Sequence, residues 1–556
     1  MKKDKTVRSF SHLLVRWNES FLFRPFASFL PAFFQSGTEE KREKAPFLHA
    51  PVLKVKTALA KMAEQSFLLQ ALQLLIRNFF TTRIRSFGVL FFSCGFLQAL
   101  SFFLRDYVPF FSGNEENLLF GVVMIFLTLL CSFSRGDVGD ALKRSFFFRG
   151  FLRPFFGVQE HHIPSGKGRE NVAEMLFWGI TLAVFSVFLS PSRVFFLCLF
   201  AFYLLFVLFK PEAGLVFLTI LFLFLPFSKL VFLTIFTVFS FFIKCAVGKR
   251  SVVVSPLPFA VLVAAFPLCA VFDTTALPLV VALFFLSLLI LGLCRTTDFL
   301  QRLLLALSFG ALLCGALILV RQAFTALYPA VFHRFPNLET ILFLLPEKTL
   351  GGLSAILCPV ILGACRSFEM GVKRGVCLLA LLLNFGGMFL VGDSSVWLAA
   401  LLGTLLFFLF SYRFSLLLIV MSTLSFVCVR NFLPEEWVRS FLALFGFGEK
   451  ADAFSFFSQV CFFRQWFAHS GVFGALALIA LLAVFLWSIL RFSRIAIQEG
   501  IYPVVLGALV SAFIFLFLGA TRIPFDYRIV FLFVLQITLP EAALRACRRE
   551  EVRLPY

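Results

Sequence analysis

The stretch ALPLVVALFFLSLLILGLC, residues 276–294, runs nineteen residues without one charged side chain. Its apolar residues are continuous rather than alternating, and its length matches what a helix needs to cross the hydrocarbon of a bilayer. A lipid-exposed strand would show apolar and polar residues in alternation. A helix, by contrast, satisfies its whole backbone internally, which lipid demands. Similar runs recur at Phe87 to Leu104, Leu118 to Ser134, Leu303 to Val320 and Gly471 to Leu490. Across 556 residues, 60% are hydrophobic, 84 are phenylalanine and mean hydropathy is +0.96, beyond what a water-facing surface tolerates. The expected fold is therefore an all-α polytopic integral membrane protein of about 14–16 spans.

Sixteen spans are expected, centred near residues 96, 126, 182, 202, 220, 236, 264, 285, 312, 357, 384, 402, 421, 480, 511 and 535. A net charge of +20 would suit a nucleic-acid binder, but in a membrane protein it has a topological explanation, because Lys and Arg collect in cytoplasmic loops. With the N-terminus inside, 38 of the 50 basic residues fall on the inner side and 12 on the outer. Both termini are thus expected in the cytoplasm and the chain in the plasma membrane. The first 50 residues are basic, interrupted by Pro25, Pro31 and Pro46, and lack a bounded apolar core, so no cleavable signal peptide is expected there. Three regions follow: a basic, partly amphipathic segment at 1–86 holding 15 cations, a membrane domain at 87–544, and a basic tail at 545–556. The basic inner face suits anionic headgroups of membrane lipids; a solvated tail explains the first segment equally well.

Thirteen cysteines are scattered singly, many inside apolar runs, and read as small core residues. His161 and His162 lie in an inner loop at 135–172 but are adjacent, and no further ligand type stands at metal spacing, so neither a metal nor another cofactor is expected. GKGRE in the same loop lacks the ending of a phosphate loop. Two long amphipathic loops are expected outside, at 321–349 and 430–470, with Trp437 and Trp466 as interface anchors. The outer side carries Arg321, Arg334, Arg439, Arg464, Arg522 and Arg528, along with His333 and His469. Positive charge is scarce on that side. Two readings stand: headgroup partners that snorkel, or a cluster of planar guanidinium forks around a phosphate or pyrophosphate. Asp526 is expected to fix one of the two last arginines as a local partner, leaving the other to face the cavity. Asp393, Ser394 and Ser395 read as the cap of the following span.

Four stretches resemble the bacterial O-antigen ligase and polymerase superfamily of membrane glycosyltransferases, in order along roughly residues 85–550. Residues 190–250 resemble its paired short spans, with a Pro-Glu-x-Gly turn and a Leu-Pro-Phe interruption. EKTLGGLSAILCP (347–359) resembles its Asn-Pro-Asn helix start, and AHSGVFGALALIALLAVFL (468–486) its Glu-x-Gly-x-x-Gly lead into a late span. GATRIPFDYRIV (519–530) resembles its closing Thr-Asp-Tyr and Asn-Tyr-Arg turn. The resemblance implies transfer or polymerisation, at the outer face, of a glycan carried on undecaprenyl pyrophosphate. It implies arginines that neutralise the pyrophosphate without a metal, and a histidine, His469 or His333, that takes the acceptor proton. The departures are specific. VGDSSVW (391–397) keeps Trp397 but places Ser394 where the family has Arg, Lys348 replaces the second Asn, and His469 occupies the Glu position. Two further readings therefore accompany the enzyme: a catalytically inactive relative that scaffolds glycan assembly, and a flippase or transporter, which asks for charges inside the spans.

Overall fold

The structure is a computed structural model, and it describes residues 77–104, 115–134, 136–164, 170–188, 191–246, 255–267, 276–327, 347–369, 371–391, 394–411, 462–498, 501–521 and 526–551, with Leu74 and Tyr107. These residues are almost wholly helical, and eight helices are long and apolar enough to cross a membrane, with six shorter apolar helices beside them. The protein is an all-α polytopic membrane protein. Fifteen of the sixteen expected span centres fall on a helix, and the one at 421 lies outside the described residues. The chain divides into two compact units, the boundary falling after Ala213.

The N-terminal unit contains α1 (Ile84–Phe103), α2 (Glu115–Phe133), α3 (Val138–Arg144), a π-helical turn (Phe148–Leu152), α4 (Arg153–Phe156), α5 (Val172–Phe188) and α6 (Pro191–Phe209). Helix α1 shows which solvent surrounds it. It buries Ser86, Gly88, Ser93, Cys94, Gly95, Gln98 and Ser101, and it leaves Phe92, Phe96 and Phe103 exposed. In water that pattern would be inverted. In lipid, small residues let helices approach and polar groups join them. Gly95 and Gly121 sit face to face between α1 and α2, where a Cβ on either would meet the other's carbonyl at 2.8–2.9 Å. Buried Gln98 ties three helices: its amide accepts from Asn117 of α2 at 2.8 Å and donates to the Ala183 carbonyl of α5 at 2.9 Å.

The expected inner loop at 135–172 is largely ordered as short helices. Phenylalanines on both faces hide its helical period from the sequence. It is pinned where Ile84 N–H donates to the Gly136 carbonyl and Val138 N–H to the Thr82 carbonyl, and by an Arg83–Glu170 ion pair.

The second unit begins with most of α7 (Pro211–Leu221) and continues through α8 (Phe227–Ala246), α9 (Pro256–Ala265), α10 (Leu277–Leu293), α11 (Thr297–Leu327), α12 (Glu347–Ser367), α13 (Val372–Val391), α14 (Ser394–Ser411), α15 (Phe462–Gln498), α16 (Tyr502–Thr521) and α17 (Tyr527–Glu551). Helices α12 and α17 are the most enclosed; α13 and α15 keep broad apolar faces outward. Helices α12 and α16 pack closely because Gly363 meets the Pro503 carbonyl and Gly507 meets that of Pro359. Near Pro359, the Ile356 carbonyl takes hydrogen bonds from Ser511 at 2.5 Å and from Gln536 of α17 at 3.3 Å. Helix α15 breaks at Gly471, whose φ of 58° and ψ of −147° are open to glycine alone among ordinary residues. The segment from Phe462 to Ser470 thus precedes the break from which the long apolar part of α15 runs. The two outer loops are correspondingly shorter than expected at their edges, since α11 runs to Leu327 and α15 begins at Phe462.

Contacts between helix ends test the alternation of spans within this unit. Lys373 donates to Gln301 at 3.1 Å, Arg366 to the Ser411 carbonyl at 3.1 Å and Tyr502 to the Phe410 carbonyl at 3.3 Å, all pairing ends that the count places inside. Tyr527 donates to the Leu225 carbonyl at 2.9 Å, joining two turns that the count places outside. The contacts fix which ends lie together; the side that faces the cytoplasm rests on the charge bias.

Candidate functional site: a buried arginine at the start of the last span

Helix α7 has 11 residues and so rises only about 17 Å, little more than half the hydrocarbon thickness. It ends in a turn at Phe222–Leu225, and Pro226 restarts the chain as α8. Phe222 and Leu223 are buried. Irregular backbone among apolar surroundings needs donors for its carbonyls, and here they come from the far end of the sequence. The Leu225 carbonyl accepts from Tyr527 Oη at 2.9 Å and from Arg528 Nη2 at 3.4 Å. Tyr527 packs edge-on against Phe227 with ring centroids 5.4 Å apart, and Phe531 stacks on Phe222.

Asp526 caps α17. Its Oδ1 accepts from the Arg528 N–H at 2.8 Å, and its Oδ2 lies 3.5 Å from Arg528 Nη1. The Arg528 guanidinium also sits 4.6 Å from the Tyr527 ring centroid, a cation–π distance. Burial pushes the Asp526 carboxyl above the usual carboxylate range, while the Arg528 N–H and guanidinium pull it back. Arg528 itself is only 6% exposed. Its Nη1 and Nη2 are engaged, but its buried Nε has no acceptor among the described residues. The guanidinium is thus held on three sides at the start of α17, with one buried N–H that has no acceptor among the described residues.

The sequence-derived candidates are placed unevenly. Arg464 and His469 belong to the lead-in segment of α15. The structure brings that segment against the first half of α17: Phe462, Phe463 and Trp466 share a small apolar cavity with Val530, Phe533 and Val534. The Trp466 indole N–H is buried there without an acceptor among the described residues. Arg321 is half-buried near the end of α11. His333, Arg334, Arg439 and Arg522 lie outside the described residues. Trp397 packs edge-on with Phe389, joining α13 to α14.

One charged group within a span escaped the sequence reading. Glu541, 3% exposed in α17, accepts at Oε1 from Ser255 at 2.6 Å and from Arg545 at 2.6 and 2.9 Å. Ser255 in turn caps α9. The signal for it in the sequence is Pro540-Glu541 with Arg545 at i+4, a pairing that shields a charge well inside a helix end. No group of three or more His, Cys, Asp or Glu that could hold a metal occurs among the described residues.

No family model, curated protein or solved structure matches this chain.

Proposed function

We propose that this protein transfers or polymerises, at the outer face of the plasma membrane, a glycan carried on a polyprenyl pyrophosphate, with both of its own termini in the cytoplasm. The observation that carries the reading is Arg528, a buried cation at the start of the last span with an unused N–H, in a turn that resembles the closing motif of the O-antigen ligase superfamily. In this reading the acceptor hydroxyl oxygen attacks the anomeric carbon and the bond from that carbon to the pyrophosphate oxygen breaks. Polyprenyl pyrophosphate leaves, its charge held by Arg528 with Arg321, Arg334, Arg439, Arg464 and Arg522, and the hydroxyl proton passes to His469 or His333. Arginine suits this role because its fork meets two phosphate oxygens at once.

The substitutions at Ser394, Lys348 and His469 favour a second reading, a non-catalytic relative that holds the lipid-linked glycan for assembly. Complementation of a deletion strain separates the two. The enzyme reading expects surface glycan to return with the wild type and to stay absent with Arg334→Ala and with His469→Ala, at equal protein abundance in the membrane. If both variants restore it, those residues carry no chemistry and the scaffold reading stands.

A further inference from the structure

The short helices between α2 and α5 present a face that the glycan reading does not use. From Phe146 to Phe156 the chain is helical through α4, and its two sides differ sharply. Phe148, Phe155 and Phe156 are buried, and Phe156 packs edge-on with Phe206 of α6. On the opposite side Phe146, Arg149 and Arg153 follow at spacings of three and four and are all exposed, with exposed Arg144 just before them. Phe146 is 90% exposed and Phe147 53%. Phe147 stacks on Phe151, which in turn touches Phe155 and Phe156, so an aromatic ladder runs from this face into the bundle. No ion pair of Arg144, Arg149 or Arg153 occurs among the described residues.

Two exposed phenylalanines suit an apolar medium, and three exposed guanidiniums with no ion pair among the described residues suit anions. Earlier in the chain, the last turns of α2 leave Leu129, Leu130 and Phe133 all exposed, a surface that suits acyl chains.

We propose that this face is an interfacial anchor that binds the headgroups of anionic phospholipids. Phe146 and Phe147 enter the acyl boundary while Arg144, Arg149 and Arg153 meet the phosphates above it. The pairing of exposed phenylalanines with arginines that form no ion pair among the described residues points to lipid rather than to a soluble partner.

The test uses the full-length protein in nanodiscs of phosphatidylcholine with or without phosphatidylglycerol. Association of spin-labelled phosphatidylglycerol, relative to spin-labelled phosphatidylcholine, reports headgroup preference. The combined variant Arg144→Gln, Arg149→Gln, Arg153→Gln should lower that preference by up to about fivefold for each arginine removed, the fold-change of the ~1 kcal/mol that one cation gains at an anionic leaflet. In a separate variant, Phe146→Trp, the added indole fluorescence should be quenched by brominated acyl chains and not by aqueous iodide. An unchanged lipid preference in the arginine variant overturns the proposal, as does iodide quenching of the added indole, which would mark a face turned to water or to a soluble protein.

Discussion

Replacing Arg528 with leucine should destabilise the protein chiefly through what it leaves behind. The Asp526 side chain is 13% exposed and that of Arg528 7%, so solvent screens neither charge well. Arg528→Leu removes the ion pair at 3.5 Å, the cation–π contact at 4.6 Å and the bond to Leu225 at 3.4 Å, and it strands a buried carboxylate. Removing one partner of such a pair costs about 3–5 kcal/mol. The double variant Asp526→Leu, Arg528→Leu also removes the stranded charge. It keeps the Tyr527 bond to Leu225 and should recover much of the loss, ending about 1–2 kcal/mol below wild type for the missing cap and hydrogen bond. Reversible unfolding in mixed micelles measures all three states as a double-mutant cycle. The pH dependence follows from the raised Asp526 carboxyl. A carboxyl whose folded pKa exceeds its unfolded value binds more protons when folded, so it costs stability as pH rises from the unfolded value through the folded one. Acidification through that window should therefore relieve a penalty, and Arg528→Leu, which removes the pull in the other direction, should enlarge it. A double variant as unstable as the single one, or a penalty that grows on acidification, would show that the stranded carboxylate is not the source of the loss.

Three further outcomes test other parts of the fold. Gly471→Ala should cost roughly 1–3 kcal/mol through backbone strain alone, because a Cβ there meets open space while φ stays at 58°; a neutral result in the same unfolding assay would mean that the break in α15 is not needed. Gly507→Ala drives a methyl group into the Pro359 carbonyl and should cost about 1–3 kcal/mol, read as a lower melting temperature of the detergent-solubilised protein. Glu541→Gln should cost about 1–3 kcal/mol by weakening the charge-assisted bonds from Arg545 and Ser255, and pairing it with Ser255→Ala should give less than the sum of the two, since both act on the same hydrogen bond.

The spans were legible because lipid imposes a simple rule, long uncharged runs that need not be amphipathic, and ALPLVVALFFLSLLILGLC became α10 with little revision. The Asp526–Arg528 pair was legible too, from local spacing, whereas Gly471 was marked only as the start of an apolar run and its positive φ came from the structure. The acceptor of Arg528 was not. Leu225 lies 303 residues away in the chain, and a backbone carbonyl leaves no mark in the sequence. Nor was the polar wiring of the cores legible, because Gln98 and Gln536 look like single polar interruptions until the helices that receive them are in place. Glu541 was passed over for a related reason. At the end of a span a carboxylate with an arginine one turn later looks solvated, and only the packing of α9 through Ser255 encloses it. The short helices after α2 were missed because Phe residues fall on both of their sides, one set facing the bundle and the other outward.

The proposed pyrophosphate site at Arg528 is tested most directly by binding of a polyprenyl-pyrophosphate lipid to the purified protein, compared with the same lipid bearing a neutral hydroxyl in place of the pyrophosphate, in wild type and in Arg528→Gln at matched folding. Wild type should prefer the pyrophosphate lipid, and the variant should lose most of that preference while its binding of the neutral lipid is unchanged. Equal binding of the two lipids by wild type, or an undiminished preference in Arg528→Gln, is incompatible with a pyrophosphate held by this arginine.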